Sequence, residues 1–171
     1  MNIILIGFMA CGKSSVGRAL AEQTGMKLID LDAMIVEKAG MCIPDIFSSV
    51  GEKAFRDLES HCVQLVSKEK NAIIATGGGV ILREKNRDLL RHGGLVVWLK
   101  TTAENVAKYS ARNDDRPLLK DGKGISDIQK MMDTREDFYR TTSHLSIKGY
   151  TMNLPMICEK ILDNFYQLSN D

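Results

Sequence analysis

Apolar residues along this chain fall into two alternating rhythms. Short apolar runs at Asn2 to Ile6 (NIILI), Ala72 to Thr76 (AIIAT) and Gly94 to Leu99 (GLVVWL) predict buried strands, and Lys27 to Leu31 and His144 to Ile147 predict two further short ones. Between them the spacing turns helical. Gly12 to Gln23 carries Val16 and Leu20 four apart, and Ala33 to Lys38 and Pro44 to Ser49 predict two short helices. Gly51 to Lys68 predicts a longer one, with Phe55, Leu58, Cys62, Leu65 and Val66 at spacings of three or four. Lys85 to Arg91, Ala103 to Arg112, Asp127 to Thr141 and Leu154 to Leu168 complete the helices. Asn113 to Gly124 is polar, with two Gly, one Pro and alternating charges, and predicts a loop. Strands alternating with helices imply a mostly parallel sheet covered on both faces, a three-layer α/β/α architecture.

In such sheets ligands sit outside the carboxyl ends of the strands. Gly7, Asp30, Asp32 and the run Gly77, Gly78, Gly79 all follow strand carboxyl ends, so strand order alone gathers them on one edge. Gly7 to Ser14 reads GFMACGKS and fits G-x-x-x-x-G-K-[ST] in full. A loop that wraps phosphates needs backbone N–H groups turned inward, and Gly7 and Gly12 permit that path. Lys13 adds a cation for the terminal phosphates, Ser14 a hydroxyl for Mg²⁺, and the following helix offers its N-terminus to the same anion. The pattern predicts a P-loop phosphotransferase that takes ATP.

Composition changes this picture little. At 171 residues, 44% hydrophobic and 26% charged, the chain has the length and make-up of one soluble domain. A formal net charge of +1 suggests neither nucleic acid nor an anionic membrane as partner. No apolar run is long enough to span a bilayer, and MNIILIGF reads as a buried strand rather than a leader, so the cytoplasm is the expected compartment. Cys11, Cys42, Cys62 and Cys158 are scattered with no CxxC pair, which predicts free thiols. Cys11, beside a helix N-terminus, is also a candidate reactive thiol.

The phosphate loop does not by itself select among GTPases, motor ATPases and small-molecule kinases. No guanine-reading NKxD is present, and AIIAT ends in glycines where a Walker B strand ends in Asp. The small size and the arginine-bearing polar loop favour a metabolite kinase. Six segments in order then resemble the shikimate kinases. They are GFMACGKSSVGRALA, LIDLDAMI at Leu28 to Ile35, IPDIFSSVGEKAFRDLE at Ile43 to Glu59, IIATGGGVIL at Ile73 to Leu82, RPLL at Arg116 to Leu119, and REDFYR at Arg135 to Arg140.

The resemblance implies a nucleoside-monophosphate-kinase-like P-loop fold with a five-stranded parallel sheet. It implies one kinase domain over residues 1–171, a substrate-binding region at about 32–62 and a lid at about 113–124. It further implies transfer of the ATP γ-phosphate to the 3-hydroxyl of shikimate, a monomer, and Mg²⁺ held by Ser14 and Asp30. ATP would be bound by Ala10, Cys11, Gly12, Lys13, Ser14, Ser15, Arg112 and Arg116, with Arg116 the lid arginine. Shikimate would be bound by Asp32, Arg56, Gly77, Gly78, Gly79 and Arg140, and Lys13, Asp32 and Arg116 would be catalytic. Related small-molecule kinases commonly have glycine at the position of Ala10, where alanine is tolerated if its φ is negative. The family often has an arginine in the loop at Met152 to Pro155, where this chain has none.

The residue chemistry is compatible with these roles and leaves alternatives. Arg56 and Arg140 have the planar forks that grip a carboxylate, but helix arginines are commonly solvated. Asp32 can orient a hydroxyl, yet Asp30 or Asp32 can also cap the helix that follows. The glycines can let backbone N–H groups approach a ring, or form only a tight turn. Glu59, one turn after Arg56, is placed to hold that arginine, and Phe47 and Phe55 are candidates for either pocket wall or core. Another small-metabolite kinase, gluconate-like or nucleotide-directed, would share the loop without needing the arginines and the glycine triplet together.

Overall fold

The computed structural model describes residues 1–110 and 124–170. Within them five strands, β1 (Asn2–Ile6), β2 (Lys27–Asp30), β3 (Ala72–Ala75), β4 (Gly94–Lys100) and β5 (Leu145–Lys148), form one sheet in the order β2-β3-β1-β4-β5, every pair parallel. The helices are α1 (Lys13–Thr24), α2 (Leu31–Ala39), α3 (Ile43–Val66), α4 (Glu84–Gly93), α5 (Ala103–Ser110), α6 (Ile125–Thr142) and α7 (Leu154–Asn170). The expected α/β/α layering and five parallel strands are therefore present.

The unbroken apolar run of β1 has a direct cause. Ile4 and Ile6 enter one core with α3, α4 and α6 residues, while Ile3 and Leu5 enter the other with Val16, Leu20, Ile157 and Ile161 of α1 and α7. With both faces buried, no polar position is left to create an alternation. The one polar residue of β1, Asn2, is buried and fully used. Its amide donates to the carbonyls of Glu69 and Gly93 and accepts from the N–H of Ala72, tying the starts of three neighbouring strands together.

Several boundaries differ from the sequence expectation, each for a local reason. The helices expected at Pro44 to Ser49 and Gly51 to Lys68 run as one span, α3, interrupted at Gly51, whose φ of 82° and ψ of 170° are not helical. α6 begins two residues earlier than expected because Asp127 folds back to accept from the N–H of Gly124 at 3.2 Å. β5 starts one residue late. His144 nevertheless extends its ladder, donating its backbone N–H to Val96 O at 2.8 Å and accepting the Val96 N–H on Nδ1 at 3.0 Å. Burial, with Arg91 and His92 nearby, pushes the His144 pKa down, in keeping with a ring nitrogen that must stay unprotonated to accept. Two single 3₁₀ turns, Val80–Leu82 and Gly149–Thr151, were not expected, since one turn is too short to show a periodicity.

β1 leads through α1 to β2 on one side, and β3 leads through α4 to β4 on the other. The chain therefore reverses direction at the β3-β1 junction, where a crevice opens at the carboxyl ends. Gly7, Asp30 and Gly77 all emerge there. The loop expected at Asn113 to Gly124, with Arg116, and the preceding Arg112 lie outside the described residues, apart from Gly124. No helix among the described residues is long and apolar enough to cross a membrane.

Candidate active site

The phosphate loop leaves β1 and re-enters helix at Lys13. Gly12 caps α1 with a φ of 93°, and its carbonyl accepts from Val16 N–H at 2.9 Å. Lys13 is buried and folded back along the loop, donating from Nζ to Gly7 O at 2.8 Å and Phe8 O at 2.9 Å, with Cys11 Sγ at 3.5 Å. The ammonium thus holds the loop closed around the space it encircles. Cys11 is free and half-buried; Cys62 and Cys158 are buried and Cys42 exposed, all free.

The condition set for Ala10 is not met. Its φ is +61°, in the left-handed region where a Cβ is strained and glycine is not. Ala10→Gly is expected to raise stability by about 0.5–1 kcal/mol, relief of strain outweighing glycine's greater chain entropy. A denaturant midpoint that stays put or falls would show that the loop carries Ala10 without strain.

A pocket of about 310 Å³ lies against the loop, lined by Ala10, Gly12, Lys13, Ser14, Ser15, Arg18, Asp30, Asp32, Thr76, Gly78 and Tyr109 among others. Ser14 and Ser15 sit in the first turn of α1, where unpaired N–H groups and the helix dipole favour an anion. Asp30 does cap α2: its Oδ1 accepts from the N–H groups of Asp32 at 2.9 Å and Ala33 at 3.3 Å. Capping and pocket lining coexist in this residue. The pocket's oxygen donors include the Ser14 hydroxyl and the Asp30 and Asp32 carboxylates, hard oxygens suited to Mg²⁺, which takes few protein ligands and keeps waters and phosphate oxygens.

The glycine triplet is closely packed on three sides. A Cβ on Gly77 would press on Asp32 Oδ1 and Glu59 Oε1, and one on Gly78 would press on the backbone of Phe8 and Met9. On Gly79 it would collide with the guanidinium of Arg56. The triplet is therefore where the phosphate loop, α2 and α3 meet. Arg56 is 7% exposed, donating from Nη1 to Glu59 Oε2 at 2.9 Å and from Nη2 to Glu52 Oε1 at 3.4 Å, with Cζ 5.1 Å from the Phe55 ring centroid. Glu59 is more buried still, and that burial raises its pKa against the opposing pull of Arg56. Arg56 Nε and Glu59 Oε1 are buried without a hydrogen-bond partner among the described residues, which leaves donor and acceptor capacity on the pair. Phe47 packs on Phe55 at 4.7 Å between centroids, joining this wall to the core.

The second arginine expected here is misplaced in the sequence reading. Arg140 has a side chain 65% exposed and paired with Asp137 at 2.8 Å on the outer face of α6, so it is not brought to Arg56. Arg135 is. It is 8% exposed, its Nη1 points at Gly78 O at 3.4 Å, and its Cζ lies 5.4 Å from the Phe8 ring centroid. One turn on, Tyr139 donates its hydroxyl to the same carbonyl at 2.5 Å, and its burial raises the phenol pKa. The buried residues of α6 are Ile128, Arg135, Tyr139 and Thr142, a helical stripe to which position 140 does not belong.

Besides Arg135, the sequence reading missed Arg18, Thr76 and Tyr109. Arg18 stands four residues after Ser14, on the same face of α1, which is a readable signal. Thr76 ends the β3 run and donates its hydroxyl to Leu5 O at 2.9 Å, a link that only strand pairing reveals. Tyr109 reaches the pocket from the end of α5, and no local pattern marks it.

Comparison with known proteins matches this geometry. The shikimate kinase family model matches residues 9–166. The shikimate kinase of Geobacter metallireducens is 49% identical over 81% of this chain and 77% of its own length. That of Caldicellulosiruptor bescii is 42% identical over 94% of this chain and 93% of its own. Among solved structures, shikimate kinase from Acinetobacter baumannii in complex with shikimate superposes with a TM-score of 0.90 at 35% identity, covering 99% of this chain and 94% of that one.

Proposed function

The chain belongs to the shikimate kinase family, and we propose that it transfers the γ-phosphoryl group of ATP to the 3-hydroxyl of shikimate, giving shikimate 3-phosphate and ADP. The observation that carries this reading is the meeting of two buried guanidiniums, Arg56 and Arg135, at a glycine triplet that packs directly on a phosphate loop. Arg56 and Arg135, rather than Arg56 and Arg140, form the clamp for the substrate carboxylate, each able to present a planar fork. Glu59 holds Arg56 in its rotamer.

Phosphoryl transfer asks mainly for alignment and charge neutralisation. Lys13 and the N-terminus of α1 bind the phosphates, with Ala10, Cys11, Gly12, Ser14 and Ser15 supplying the loop. Asp32, beside Gly77, orients the attacking hydroxyl and accepts its proton as the phosphoryl group transfers. Mg²⁺, held by Ser14 and Asp30, would supply Lewis-acid neutralisation of the phosphate oxygens. Arg116, in the lid expected over 113–124, would add a cation for the transferring phosphoryl group, and Arg112 would belong to the nucleotide site. The whole chain serves as one kinase domain, monomeric and cytoplasmic.

A coupled ADP-release assay with shikimate, quinate, gluconate and AMP tests the reading. Shikimate-dependent release is expected. Release that depends on gluconate or AMP instead would transfer the chain's activity to another metabolite.

A further inference from the structure

Between the phosphate loop and the two buried guanidiniums lies one peptide group, the link from Gly78 to Gly79. Gly78 backs onto the main chain of Phe8 and Met9, and Gly79 lies against the Arg56 guanidinium. The Gly78 oxygen faces α6, where it meets Arg135 and Tyr139. A peptide group is planar and trans, so its oxygen and its hydrogen point to opposite sides. With the oxygen held against α6, the Gly79 N–H turns away from that helix, and rotation of the peptide re-aims it beside the clamp. Neither flanking residue has a Cβ, so steric resistance to that rotation is low. The donors to the Gly78 oxygen are what fix the orientation.

Those donors are unequal. Arg135 Nη1 stands at 3.4 Å, near the long limit, and its fork is the one assigned above to the substrate carboxylate. The Tyr139 hydroxyl donates at 2.5 Å, and it has little freedom to move. Its ring is 2% exposed and stacks on Trp98 at 5.6 Å between centroids and 16° between planes. The end of α6 is held in turn, since Arg91 Nη1 donates to the carbonyls of Thr141, Thr142 and Ser143 at 3.0 to 3.3 Å. Burial raises the phenol pKa, which keeps the hydroxyl a donor. A phenylalanine would fill the same space against Trp98, so packing does not account for the hydroxyl.

We propose that Tyr139 is a positioning residue, whose hydroxyl locks the Gly78–Gly79 peptide in one orientation and thereby presets the shikimate clamp. The effect on the clamp rests on the shikimate reading; the lock itself does not. Tyr139→Phe, which keeps the ring, tests both. The shikimate KM should rise about five- to tenfold, with ATP KM and kcat within about twofold of the parent. Loss of packing alone would lower the active fraction, and so kcat, without moving either KM. Trp98→Phe supplies the control, because it disturbs the packing of the Tyr139 ring and keeps the hydroxyl. Its thermal midpoint should fall while its shikimate KM stays within about twofold. The lock is read directly by relaxation dispersion at the Gly79 amide of ¹⁵N-glycine-labelled protein without substrates. The parent should show no exchange there, and Tyr139→Phe should show it.

Exchange at Gly79 in the parent overturns the lock, a result that does not depend on how well the variant folds. An unchanged Gly79 signal in Tyr139→Phe overturns it as well. A shikimate KM unmoved in Tyr139→Phe, or raised as far in Trp98→Phe, overturns the effect on the clamp. If the chain failed to phosphorylate shikimate at all, the Gly79 amide would still decide the lock.

Discussion

Lys13→Ala is expected to lower kcat by about a thousandfold or more, the loss seen when a preorganised charge on a transferring group is removed. Two effects combine in that figure. Lys13 supplies the only lysine ammonium lining the phosphate pocket among the described residues, and it also pins the loop by donating to Gly7 O at 2.8 Å and Phe8 O at 2.9 Å. Lys13→Met separates them, since the thioether chain fills much of the stem's volume without the charge. Both variants should lose turnover, and nucleotide affinity should fall less in Met than in Ala if the loop keeps its shape. Rapid-quench single turnovers at saturating ATP and shikimate read the chemical step. A methionine variant within tenfold of the parent kcat would remove the ammonium from catalysis.

How much of this was legible in the sequence depends on which physical level sets each feature. The strands of the sheet could be read because burial on both faces leaves unbroken apolar runs, as at Ile3 to Ile6 and Leu95 to Leu99. The phosphate loop could be read because its chemistry is local, a backbone path plus one lysine and one hydroxyl. Ala10 marks the limit of that reading: the motif tolerates alanine, but its φ of +61° follows from how the loop closes on Lys13. The triplet at Gly77 was recognisable, yet its reason, the bulk of Asp32 from α2 and of Arg56 and Glu59 from α3 pressed against it, comes from elements distant in the chain.

Arg135→Ala is expected to raise the shikimate KM by about 30- to 100-fold, the cost of losing a charge-assisted, two-pronged contact of about 2–3 kcal/mol. ATP KM should change little, because Arg135 lies over Gly78 and Phe8 on the α6 side of the triplet and is absent from the phosphate pocket lining. Arg140→Ala should stay within about twofold, since its exposed pair with Asp137 is of the kind that contributes little. The contrast between the two decides the clamp better than either alone. Arg135 is also a buried residue, so its loss disturbs packing next to Tyr139, and a raised KM could reflect a loosened Gly78. Arg135→Lys resolves this, because it keeps the stem and the charge but not the fork. If only stem and charge matter, lysine restores KM; if planar carboxylate recognition matters, KM stays raised at least about tenfold while stability returns. A raised KM in Arg140→Ala together with a normal one in Arg135→Ala would return the clamp to the outer face of α6. That outcome would require α6 to turn by more than a third of a revolution when substrate binds, dragging Tyr139 off Gly78 O.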